Sequence, residues 1–215
     1  MSAIEEYIQK LEEWDHKLFL NVYESKFSKR TQQLAKVISF FGSLNFWGLV
    51  WIIWFIYGYI TKNYYLLVLF TGAFDQSIII HLLIKYKFIR RNRPFITLKS
   101  KGVKRHDDYI RIPYLMSSSE AYSFPSGHVA FFLLFGCVFA TYYNNFWILF
   151  TFIIFDVLIA ISRIILGVHF PIDVIFGFLF GLVYAFLYLG LTCRYWVDFY
   201  YYIGPIISDI IHFWR

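Results

Sequence analysis

The chain has 215 residues, a formal net charge of +6, 59% hydrophobic and 24% aromatic residues, and a mean hydropathy of +0.55. These values exclude an ordinary soluble domain and indicate an integral membrane protein. Cys137 and Cys193 both lie in or beside apolar runs, which suggests neither a disulfide framework nor a metal site.

In chain order, the N-terminus opens with Glu5, Glu6, Glu12 and Glu13. It lacks the basic start and apolar core of a secretory signal. Residues 4–22 place Ile4, Tyr7, Leu11, Trp14, Leu18 and Val22 at steps of three and four. That periodicity predicts an amphipathic helix, lying at the membrane interface or packed on the bundle.

Five apolar runs follow, at roughly 44–61, 64–84, 127–143, 146–165 and 170–192, each near the length that spans hydrocarbon. They are continuously apolar and do not alternate, which argues against a barrel. The expected fold is all-α: a polytopic membrane helical bundle with about five transmembrane helices plus an N-terminal interfacial amphipathic helix. It forms a single membrane-embedded unit over 1–215, with a core at 64–190, an amphipathic segment at 1–40 and an aromatic interfacial tail at 194–215. Gly204-Pro205 is expected to break that tail. Internal repeats and low-complexity linkers are absent from the sequence.

Three polar islands interrupt the apolar runs. The first, Arg91-Asn92-Arg93-Pro94, ends the second run amid Lys85, Lys87 and Arg90. Alone, it reads as a positively charged stop. It opens the one long connection, residues 86–123, and loops of that length are often functional.

The second island, Phe124 to His128, precedes the third run. Backbone N–H groups at a helix start attract anions. Gly127 would allow close approach, Ser126 adds a hydroxyl, and His128 could protonate a leaving alkoxide. The alternative is a Pro-Ser cap with an incidental histidine.

The third island is Ser162-Arg163, then His169 and Asp173. Arg163 can present a planar fork to phosphate oxygens. Asp173 lies four residues beyond His169, on one face if a helix begins there. A carboxylate so placed can orient the imidazole and leave one nitrogen nucleophilic, or the pair can merely cap a helix. With five spans, all three islands fall on one side of the membrane. Charged groups rarely gather beside lipid without a function. Asp156, inside the fourth run, is expected to anchor the bundle through a water or a tyrosine; Asp75 and His81 in the second run are read similarly.

These islands resemble the motifs of the type 2 phosphatidic acid phosphatase (PAP2) superfamily, in its membrane lipid phosphate phosphatase branch. The family pattern is Lys, six residues, Arg-Pro; then Pro-Ser-Gly-His; then Ser-Arg, five residues, His, three residues, Asp. Arg93-Pro94, Pro125 to His128, Ser162-Arg163, His169 and Asp173 match, and the resemblance covers about 64–190. The family lysine falls at Tyr86, flanked by Lys85 and Lys87; Lys87, near a frayed helix end, is expected to replace it.

The resemblance implies hydrolysis of a lipid phosphate monoester or diphosphate through a phosphohistidine. His169 would be the nucleophile, Asp173 its orienter and His128 the general acid. Arg93, Arg163, Ser126, Gly127 and Lys87 would bind phosphate. No metal or other cofactor is implied. The expected partners are a membrane lipid phosphate and the bilayer, with no nucleic acid. A lipid-to-lipid phosphotransferase would use the same residues, and a non-catalytic lipid-binding or transport protein is a third reading.

The resemblance also implies a site facing away from the cytoplasm, in the cell inner or plasma membrane. The charges point the other way: 17 of the 20 Lys and Arg fall on the side of the islands, against Lys62, Arg194 and Arg215 opposite, an excess the positive-inside rule would place in the cytoplasm. The extracytoplasmic assignment is the one carried forward.

Overall fold

The computed structural model describes residues 3–23, 27–106 and 121–213. Lys26, Arg111 and Arg215, three of the cations counted above, lie outside the described residues. Among the described residues the architecture is helical: α1 (Ala3–Tyr23), α2 (Lys29–Phe41), α3 (Leu44–Thr61), α4 (Tyr65–Leu83), α5 (Pro94–Thr97), α6 (Gly127–Tyr142), α7 (Phe146–Ile165), α8 (Pro171–Ala185) and α9 (Cys193–Phe213). Wider π segments continue α4 over Ile84–Phe88 and join α8 to α9 over Phe186–Thr192. Local sequence sets several starts. Ser43 and Asn145 accept the Phe46 and Trp147 amides, and Pro171 occupies the first turn of α8, where its missing N–H costs nothing.

The polytopic bundle is present. Leu44–Thr61, Tyr65–Phe88, Phe146–Ile165 and Pro171–Pro205 are long and apolar enough to cross a membrane. The remaining apolar helix, α6, has 16 residues and is buried almost all round. A helix apolar on every face belongs in a core, and α6 is enclosed by α4, α7 and α8. Trp47 and Phe70 pack against it as tilted rings, with centroids 4.5 and 4.2 Å from that of Phe135.

Lipid is as apolar as leucine, so packing rather than escape from water holds such helices together. α6 and α8 approach closely. A Cβ on Gly177 or Gly181 would stand 2.8 Å from the Ser126 or Ala130 carbonyl oxygen. This small-xxx-small spacing brings the start of α6, with its histidine, against the start of α8.

Two sequence expectations change, while the helix expected over 4–22 is present as α1. Ser28 caps a second helix, α2, by accepting the Thr31 amide. The two faces of α1 differ: Ile4, Tyr7, Ile8, Leu11 and Trp14 are exposed, while Asp15 and Phe19 are fully buried against the bundle.

The tail beyond Arg194 does not break at Gly204-Pro205; Pro205 lies inside α9. α9 packs on α4, where Trp196 Nε1 donates to Gln76 Oε1 at 2.8 Å and Tyr200 donates to Asp75. These polar pairs fix the two helices together, since an unmet polar group in hydrocarbon is costly. Asp156 is buried, but neither carboxylate oxygen meets a hydrogen-bond partner among the described residues, so the expected tyrosine anchor is not found.

Candidate active site

A cavity of ≈ 160 Å³ opens between α3, α4, α6 and α7, and its wall includes Lys85, Arg93, Gly127, His128, Arg163 and His169. All three islands therefore meet in one place. Each side chain arrives there for a local reason.

Arg163 ends α7 and is buried, with Nη1 donating to Ser39 Oγ of α2 at 2.6 Å. The chain then turns at Gly167, whose φ of +72° suits glycine. Val168 receives Arg93 Nη1 on its carbonyl at 3.1 Å. His169 follows, 1% exposed, just ahead of α8. Arg93 itself is held by its amide, which donates to the Ala121 carbonyl at 3.0 Å. Gly127 and His128 begin α6, and the Ser126 amide donates to the Asp173 carbonyl at 3.0 Å, which ties the second island to the third.

Asp173 stands behind His169, away from the cavity. Its Oδ2 accepts the Phe170 amide at 2.8 Å, capping α8. The same oxygen lies 3.7 Å from His169 Nδ1, beyond hydrogen-bond length. Such contacts are often long before substrate tightens them. Asp173 Oδ1 accepts Arg91 Nη1 at 2.9 Å.

Burial, reinforced by Arg93, Arg163 and Lys85, pushes the His169 imidazole well below its usual range, against the opposing pull of the Ser123 backbone. The ring is therefore neutral at physiological pH, the form that carries a nucleophilic nitrogen.

Two sequence-predicted residues are placed differently. Lys87 is exposed and off the cavity wall, whereas Lys85 is on it. The cause is the π segment Ile84–Phe88, which absorbs one extra residue and shifts the helical phase by that amount. The interrupted lysine spacing in the sequence and the widened turn are one feature. Arg90, in the same run of cations, folds back to the Tyr86 carbonyl at 2.7 Å. Ser126 is fully buried, its hydroxyl meeting no partner among the described residues, and lies behind the cavity wall.

Several wall residues carry no site role in the sequence reading. His81, read there as a bundle anchor, lies one turn before Lys85 on the same helix face; it is buried, and its Nδ1 is 3.3 Å from the Tyr184 hydroxyl. Its i, i+4 spacing to Lys85 was the available signal. Ser43 and Asn45 reach the wall from the α2–α3 corner. Among the described residues no cluster of three or more His, Cys, Asp or Glu has the geometry of a metal site.

The fold is a membrane helical bundle that gathers these islands around one cavity lined by cations and histidines. The PAP2 superfamily model matches residues 61–196, and the chain belongs to that superfamily. It is similar in fold to the crystal structure of the first transmembrane PAP2 type phosphatidylglycerolphosphate phosphatase from Bacillus subtilis, with 21% identity, TM-score 0.64 and coverage of 86% of this chain and 87% of that one. It is also similar to Aquifex aeolicus LpxE, with 20% identity, TM-score 0.52 and coverage of 81% and 93%. No curated protein matches the chain by sequence.

Proposed function

We propose that this protein removes phosphate from a membrane lipid through a covalent phosphohistidine. The observation that carries the reading is the cavity itself. His128 and His169 face it together with Lys85, Arg93 and Arg163, and the Asp173 carboxylate stands behind His169.

His169 attacks phosphorus while the bond from phosphorus to the lipid oxygen breaks. His128 gives that oxygen a proton. A water, deprotonated in turn by His128, then attacks phosphorus, and the phosphorus–nitrogen bond breaks to release phosphate and His169. Lys85, Arg93, Arg163 and the amides at Gly127 and His128 neutralise the charge on the equatorial oxygens. Phosphoryl transfer needs mainly positioning and electrostatic stabilisation, and the residues of this site supply both without an ion. Lys85 replaces Lys87 in this assignment, and Ser126 acts by shaping the start of α6.

The cavity is smaller than the ~300–1,000 Å³ typical of whole-ligand pockets, which suits a headgroup with its chains left outside. Leu44 and Leu82, both exposed, form part of the wall, so an apolar rim adjoins the phosphate site. The structural neighbour from Bacillus subtilis is a phosphatidylglycerolphosphate phosphatase, which supports the same class. Phosphatidylglycerophosphate, phosphatidate, polyprenyl diphosphates and lipid A phosphates all fit it. A phosphotransferase would pass the same phosphohistidine to a second lipid.

The test is phosphate release by detergent-purified protein on a panel of these lipids, with EDTA present. We expect release from at least one lipid and none from His169→Ala; a requirement for added metal would refute the ion-free mechanism. The site is assigned to the extracytoplasmic face. α1 packs at the start of α8, so the N-terminal helix and the cavity share a side. A reporter fused after Arg215 should then report from the cytoplasm, and external activity would reverse the assignment.

A further inference from the structure

The N-terminal helix places a buried carboxylate beside the catalytic one. Asp15 on α1 is fully buried although it belongs to a helix whose other face is exposed. Its Oδ2 accepts Arg91 Nη2 at 2.5 Å, and its Oδ1 accepts the Ile172 amide at 2.9 Å. That amide is one of the four unpaired N–H groups that open any helix, and an anion there is favoured by the α8 dipole. Arg91 spends its second terminal nitrogen on Asp173 Oδ1 at 2.9 Å and lies over the Phe170 ring, 4.4 Å from its centroid. Arg91 is thus forked between two buried carboxylates. One of them stands behind His169.

Each group in this chain requires the next. Asp173 faces His169 with one oxygen; its other oxygen needs a donor, which is Arg91. Arg91 is a fixed cation between two anions, and without Asp15 its fork has one free arm and freedom to swing. Asp15 also grips α8 at Ile172, one residue before Asp173. Phe19 of α1 completes the arrangement by packing on Phe170, edge to face at 5.3 Å.

We propose that Asp15 and Arg91 are positioning residues for the Asp173–His169 pair, and that α1 is therefore a working part of the site as well as a membrane-surface helix. The proposal rests on the reading of His169 as nucleophile.

The test compares wild type, Asp15→Asn, Arg91→Gln, Arg91→Lys, the double variant Asp15→Asn/Arg91→Gln, and His169→Ala, each as the full chain in detergent. The readouts are kcat, KM and the melting temperature. Misplacing reacting groups by an ångström can cost on the order of 10²-fold, so Asp15→Asn and Arg91→Gln should each lower kcat by about that much. KM should stay within about threefold, because the cavity cations are untouched. Arg91→Lys should recover part of the loss. The double variant should be no slower than Arg91→Gln, since Asp15 acts through Arg91.

If the two residues only stabilise the fold, the variants melt earlier but folded enzyme keeps its kcat, and the proposal is overturned. Should Asp15→Asn fail to fold, Arg91→Lys carries the test: kcat equal to wild type overturns the proposal. An inactive His169→Ala beside an unchanged Asp15→Asn removes this inference alone, whereas a fully active His169→Ala removes the mechanism beneath it.

Discussion

Asp173 Oδ2 lies 3.7 Å from His169 Nδ1 while accepting the Phe170 amide at 2.8 Å. One carboxylate oxygen thus caps α8 and faces the His169 imidazole. The i, i+4 spacing read from sequence brings the two side chains together only because the helix starts between them, at Pro171. Asp173→Asn keeps a capping oxygen but removes the charge behind the imidazole. It should lower kcat by about 10²–10⁴-fold, as loss of an orienting carboxylate does in other nucleophile–base pairs. Steady-state kinetics with a responsive lipid checks this.

Lys85 and Lys87 offer a paired comparison. Both are cations two residues apart, but only Lys85 is on the cavity wall. Lys85→Met should lower kcat/KM by about 10²–10³-fold, the usual effect of losing a donor to developing charge. Lys87→Met, an exposed change, should stay within about twofold. The reverse ranking would mean that the π segment does not set the phase of this helix end.

The acidity of His169 fixes the sign of the pH dependence. Burial and the cations Arg93, Arg163 and Lys85 hold it below its ordinary value of 6.5. The neutral nucleophile is then present above the lowered value and is lost as pH falls through it. The acid limb of kcat/KM, which reports the free enzyme, should lie below pH 6.5. Arg93→Ala removes one depressing charge, so the limb should move upward in pH even as the rate falls.

Gly181 touches the site only through packing. A larger residue there would press on the Ala130 carbonyl and Leu133, which stand 2.8 and 3.0 Å from its missing Cβ. Gly181→Val should destabilise the bundle by about 1–3 kcal/mol, the usual cost of overpacking. A thermal melt in detergent measures it, and the same change at Gly204, which has open space around it, should have little effect.

The helical bundle and most of the candidate site were legible in sequence because both signals are local. Apolar runs of spanning length announce the helices, and each island sits where a run ends. The lysine was misplaced by two residues, because a π turn changes the helical phase without changing composition. Asp15 was invisible for a different reason. The periodicity of α1 drew attention to its apolar stripe, whereas its packed face is organised around a carboxylate whose partner, Arg91, is distant in sequence. α2 was missed because its residues are only weakly apolar, yet it supplies Ser39 to Arg163.

The central claim is that His169 carries the phosphate during turnover. Rapid acid-free quenching of the enzyme with a labelled lipid substrate, followed by peptide mass spectrometry, tests it directly. The account predicts an acid-labile phosphoryl group on His169 that appears and decays at the rate of turnover and is missing in His169→Ala. Phosphate release at the wild-type rate by His169→Ala, with no phosphoryl group on the protein, would contradict it.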